Sequence, residues 1–138
     1  MAKDAKFWET IKEDFDFTDE ILKQLTPEQK RVLEKVDELG QWKVVAEVTS
    51  CSHCYQHKQP GDRYVFEPGG KLLIEECTGP ICVWGLAYML PFAYMILDRI
   101  VEGIDPNGIN LRYIRCSDTT WRHGGTGECI YRIRAEKK

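Results

Sequence analysis

This sequence has no surplus of positive charge. Its 19 lysines and arginines face 22 aspartates and glutamates, leaving a net charge of −3 and a pI near 5.6. A chain so balanced lacks the electrostatic footprint of a nucleic-acid or anionic-membrane binder, so neither partner is expected. No apolar h-region or cleavage signature follows Met1-Ala2-Lys3-Asp4. We therefore expect no secretory signal and a cytoplasmic location. Long hydrophobic runs are scarce too. Residues 81–97 carry no charge, but the stretch is at the short limit for a membrane span and holds Tyr88, Pro91 and Tyr94. Internal repeats are absent. The glycine-rich segment 124–127 lacks a Walker lysine, which argues against a nucleotide cradle.

What is present is an ordinary globular balance of 43% hydrophobic and 30% charged residues over 138 positions. That fits one domain with a terminal extension. Residues 1–40 contain no cysteine, and no glycine before Gly40. They read as a helical arm. A helix is expected over 3–14, with Phe7, Trp8 and Ile11 on its apolar side, and a short turn over 19–24. Thr26-Pro27-Glu28-Gln29 is a strong start signal: a hydroxyl at the N-cap, proline at the first helical position and glutamine at the third. This helix is expected to reach Leu39, with Gly40 as its stop. The arm either packs on its own core, closes over a site, or docks a second copy or a larger enzyme.

Residues 41–138 form the second expected unit. Val-rich alternation over 42–49 argues for a strand. A polar loop follows over 51–61, then strands over 62–67 and 71–75. One apolar helix is expected over 81–102, buried on most sides, followed by strands over 111–116 and 128–134. In the last, Cys129, Tyr131 and Ile133 alternate with Glu128, Ile130, Arg132 and Arg134. The expected class is α+β: a mostly antiparallel sheet packed on one central apolar helix, in the order β-β-β-α-β-β.

Six cysteines are the unusual feature. In a cytosolic protein, metal ligands, reactive thiols or buried packing groups are favoured over a disulfide framework. Cys51-x2-Cys54 is ligand-like, yet a second such pair is missing, so a local zinc ribbon is not indicated. A site assembled from element ends remains: Cys54, Cys82 and Cys116, with Cys51, His53 or His57 adding a ligand, could hold a metal ion or an iron–sulfur centre. Cys77 and Cys129 read as packing residues. Cys82 falls at a helix start, where free N–H groups favour thiolate. With His57 or Asp118 as acid/base it would serve as a nucleophile. Asp118 is equally a turn-capping residue. Trp84 and Trp121 read as core residues, with pocket walls as the alternative.

Over residues 42–134 the chain resembles a group of small, largely uncharacterised cysteine-containing proteins of anaerobic bacteria and archaea. The matching positions are Cys54 with Gly61-Asp62, Cys82-Val83-Trp84-Gly85 and Cys116-Ser117-Asp118. The group often has proline where Val83 and Ser117 stand here, and alanine where Gly85 stands. The resemblance singles out Cys54, Cys82 and Cys116 and implies no particular reaction. Together these features lead us to expect a cysteine-centred site that binds a metal or iron–sulfur centre, with an open coordination position for a small substrate. An enzyme working through Cys82, and an accessory subunit docking through residues 1–40, are the alternatives.

Overall fold

The computed structural model describes residues 3–138. The chain divides into two compact units, residues 1–37 and 38–138. In the first, α1 (Ala5–Phe15) starts at Asp4, whose carboxylate accepts from the Phe7 N–H. It ends where Asp16 turns left-handed, with φ 53°. Lys12 pairs with Glu9 within α1 and ties the helix to the next, α2 (Asp19–Gln24), by an ion pair to Asp19. The Thr26 signal produces a capping box at the head of α3 (Pro27–Glu34). Thr26 Oγ1 accepts from Gln29 N at 3.2 Å, and the Gln29 side chain accepts from Thr26 N at 2.7 Å. The helix expected to reach Leu39 breaks at Lys35, and a separate turn, α4 (Val36–Leu39), follows.

The second unit is built on a four-stranded antiparallel sheet in the order β2-β1-β4-β3. Its strands are β1 (Trp42–Ser52), β2 (Arg63–Phe66), β3 (Tyr113–Arg115) and β4 (Glu128–Lys137). The structure is thus α+β, with four strands rather than five. Residues 71–75 do not form the expected third strand. Isolated bridges Phe66↔Leu72 and Arg63↔Thr78 flank a single 3-10 turn at Ile74–Glu76. This segment covers the open edge of β2: Leu73 N donates to Val65 O, and Cys77 Sγ accepts from Val65 N at 3.3 Å. Covered edges do not template pairing with another chain.

Alternation in β4 buries Cys129, Tyr131, Ile133 and Ala135 on one face. Tyr64 lies on the same face and stacks on Tyr131 with ring centroids 5.6 Å apart. The opposite face carries the Arg134 ion pairs with Glu47 and Glu136.

The central apolar helix is two helices, α5 (Val83–Ala87) and α6 (Leu90–Val101). Pro91 explains the division: it stands in the first turn of α6, where its missing N–H costs nothing. Only one stripe of α6 is buried, at Ala93, Ile96, Ile100 and Val101, while Leu90, Tyr94 and Met95 are exposed. No helix among the described residues is long and apolar enough to cross a membrane.

One irregularity positions the site. The β1–β4 register pairs Val48 with Tyr131, then Ser50 with Ile130, so Thr49 is the extra residue of a β-bulge. Its hydroxyl donates to Ile130 O at 3.2 Å. Beyond the bulge Cys51 stands opposite Cys129. Were Thr49 paired regularly instead of bulged, Ser50 would occupy that place.

Candidate thiol cavity and metal site

Cross-strand register joins Cys51 and Cys129 in a disulfide, with Cα atoms 4.2 Å apart. Cys54, just past the end of β1, completes a cluster in which the three sulfurs all lie within 4.8 Å of one another. Among the described residues no other group of three His, Cys, Asp or Glu side chains lies so close. Cys129, read from sequence as a packing residue, therefore belongs to the cluster. No local spacing reveals this, because the pairing depends on a register that a bulge resets across 78 residues. The disulfide, disfavoured by the sequence reading, arises from the same pairing.

A cavity of about 580 Å³ lies beside the cluster. Cys54, Cys82 and Cys116 all line it, together with Cys129. The structure thus brings the three sequence-selected cysteines to one cavity, although Cys82 and Cys116 stand outside the tight cluster. Cys116 follows β3, and its Sγ accepts from the Cys129 N–H at 3.4 Å. Cys82 is the N-cap of α5 rather than a first-turn residue, and only five helical residues follow it. Its position is fixed from below by Tyr64. The Cys82 N–H donates to Tyr64 Oη at 2.9 Å, and the phenol donates to Cys82 O at 3.3 Å. Burial raises the Tyr64 and Tyr131 phenols above the usual tyrosine range, so both are neutral hydroxyls at neutral pH. Cys77 lies outside the cavity, its sulfur engaged by the backbone of Leu73 and Val65.

Gly85 sits on these phenols. A Cβ there would meet Tyr131 Oη at 2.9 Å and Tyr64 Oη at 3.2 Å. The next residue back, Trp84, is 58% exposed and lines the cavity, a wall rather than the core residue expected. Trp121 is exposed as well, with Arg122 over its ring.

Asp118 builds the opposite wall. Oδ1 accepts from Thr120 N and Thr126 N, both at 2.9 Å; Oδ2 accepts from Thr126 Oγ1 at 2.9 Å and Gly127 N at 3.0 Å. The loop comes so close that a side chain at Gly125 would collide with the carboxylate. These donors, Gly127 first, hold the Asp118 pKa down at about 2. The geometry is that of a carboxylate organising a turn, with both oxygens occupied. His57 is exposed, turns left-handed at φ 55°, and does not line the cavity. His53 is likewise outside it.

The Asp118 geometry sets a pH dependence. A carboxylate with a depressed folded-state pKa stabilises the fold above its unfolded value near 3.9, and the contribution is lost as pH falls through about 2. Asp118→Asn would set an amide N–H₂ against the Gly127 or Thr126 donors. We expect it to cost roughly 1–3 kcal/mol at pH 7. Urea unfolding of both proteins at pH 7 and pH 2 checks this. The gap should narrow at pH 2, and a gap independent of pH would contradict the assignment.

Lys58 is the one fully buried charged side chain among the described residues, at 3% exposure. It lines the cavity, its Nζ has no hydrogen-bond partner, and it stands 4.1 Å from the centroid of the Tyr64 ring. Burial pushes its pKa below the usual lysine range, against the pull of Asp62 and the Cys82, Cys54 and Cys77 sulfurs. Sequence reasoning missed it. A lysine in a polar loop ordinarily reaches solvent, and nothing around Gln56-His57-Lys58-Gln59 marks it otherwise.

Compared with family models, curated proteins and solved structures, the chain matches none.

Proposed function

We propose that the chain is a thiolate-based metal-binding protein whose metal site adjoins a cavity for a small molecule. The observation that carries this reading is the convergence of the Cys51, Cys54 and Cys129 sulfurs within 4.8 Å. Zinc–sulfur bonds near 2.3 Å place sulfurs about 3.8 Å apart in a tetrahedral site, so reduction must part the bonded Cys51 and Cys129 sulfurs, with Cys54 already within 4.8 Å of both. Soft thiolates select zinc-like ions or iron–sulfur centres. The metal-binding form is the reduced one, because disulfide sulfurs are not thiolates. Cys116, whose Sγ touches the Cys129 amide, and Cys82 across the cavity are the nearest sources of a fourth ligand. Three firm ligands would leave a position open to substrate. Membership of the anaerobe group suggested by the Cys54, Cys82 and Cys116 motifs is part of the same proposal.

Metal analysis and a visible spectrum of protein purified without oxygen test the reading, followed by zinc titration of the reduced chain. The expected result is roughly one metal per chain, with affinity reduced at least tenfold by Cys54→Ser. Iron–sulfur occupancy would appear as a coloured, sulfide-containing protein. Less than about a tenth of an equivalent of zinc or iron, both as purified and after titration, would overturn the proposal.

A further inference from the structure

We propose that the thiol-lined cavity binds a small organic monocarboxylate with an apolar body, its carboxylate held at Lys58 Nζ. Two independent features lead there. The first is the Lys58 ammonium, buried and without a hydrogen-bond acceptor, in the wall of a cavity. An ammonium has three donors and no acceptor, and leaving it dry and unpaired is costly. Among the described residues it faces the Tyr64 ring without a hydrogen bond, and the nearby Asp62 carboxylate is already bonded to Gln59 N at 2.8 Å. An anionic oxygen from a ligand supplies what the protein withholds.

The second feature is the apolar rim. Ile81, Val83, Trp84 and Tyr55 line the cavity while remaining exposed, Tyr55 at 79% and Val83 at 71%. Large apolar side chains gathered at a cavity mouth match the apolar part of a ligand. The volume of about 580 Å³ lies within the range of small-molecule pockets.

Charge selects among anions. Lys58 is the sole cationic side chain in the lining, whereas Asp118 contributes a carboxylate and Cys54, Cys82 and Cys116 contribute thiols. A single positive charge suits a monoanion. A phosphate dianion would face the Asp118 charge with one ammonium to offset it, and without the several convergent donors such groups require.

The inference does not depend on a bound metal, and the test keeps the two apart. Reduced, metal-free full-length protein is titrated calorimetrically with phenylacetate, hexanoate and indole-3-acetate, each against its neutral amide, and with inorganic phosphate. At least one carboxylate is expected to bind with a Kd of about 1 mM or tighter, and about tenfold more tightly than its amide. Lys58→Met should remove that preference. If this variant does not fold, the carboxylate-to-amide comparison on the native sequence still decides. Equal binding of acid and amide, failure of all three carboxylates, or stronger binding of phosphate would overturn the proposal. Zinc titration of the same reduced protein is read separately from the carboxylate comparison. Loss of zinc binding alone would therefore count against the metal reading and not against this one.

Discussion

Gly85→Val is expected to destabilise the protein by about 3 kcal/mol, the largest effect of any single substitution considered for this molecule. The reason is geometric. A Cβ at this position would stand 2.9 Å from Tyr131 Oη and 3.2 Å from Tyr64 Oη, and valine adds two methyls beyond it. Neither phenol can retreat. Both rings are fully buried and stacked on each other, and Tyr64 is clasped by the N–H and C=O of Cys82. Overpacking against rigid partners outweighs the gain of about 1 kcal/mol that leaving glycine brings to a helix. The strain would also move Cys82 off its seat, so carboxylate and zinc binding should weaken along with stability. Urea unfolding measures the first effect, and a double-mutant cycle locates its cause. Tyr131→Phe removes the oxygen nearest the new Cβ and should recover much of the loss in Gly85→Ala. Strictly additive effects would show that the clash is not with this phenol.

Lys58→Met is expected to change stability in the opposite direction, raising it by about 1–3 kcal/mol in the metal-free, ligand-free protein. Methionine matches the length of the stem and removes a buried charge without a hydrogen bond. The variant gives up a cation–π contact with Tyr64, 4.1 Å from ammonium to ring centroid and worth up to about 2 kcal/mol when desolvated. A thioether beside the ring recovers part of that, and the relief of the unpaired ammonium exceeds the remainder. Denaturant unfolding should show a higher midpoint with an unchanged slope. A lower midpoint would mean that the ammonium has a compensating partner within the chain. A residue that costs stability and is nevertheless in place indicates work done when the cavity is filled.

Where a structural signal is local, it was readable. The capping box at Thr26 and Gln29 needs only four consecutive residues, and the alternation of Cys129, Tyr131 and Ile133 needs only one strand. The signal for dividing the apolar helix was also present, since Pro91 suits a first turn better than a helix interior. An unbroken run of uncharged residues concealed it. Residues 71–75 look strand-like because they are apolar and follow a glycine turn, yet their backbone pairs with β2 only at isolated bridges. For the site, element-end position suggested Cys54, Cys82 and Cys116 as one metal set; all three line one cavity, but only Cys54 belongs to the tight cluster. What could not be read were the features that depend on distant pairing: the place of Cys129 opposite Cys51, and the burial of Lys58 beneath a rim assembled from two separate segments. Gly85 falls between. A glycine inside a short apolar run is visible in the sequence, and the two phenols against it supply its physical reason.

The bulge at Thr49 makes the cysteine pair depend on strand register as well as on residue identity. Upstream of it, every β1–β4 pair from Trp42 to Val48 keeps one register; downstream, the register is shifted by one. Taking Thr49 into the ladder would leave the upstream pairing whole while setting Ser50 against Cys129 and turning Cys51 to the other face, whereas deletion of Thr49 would remove the bulge and keep Cys51 opposite Cys129. A one-codon deletion, which in a regular strand would turn every later side chain over, is at this point the change that leaves the cysteine pair in place.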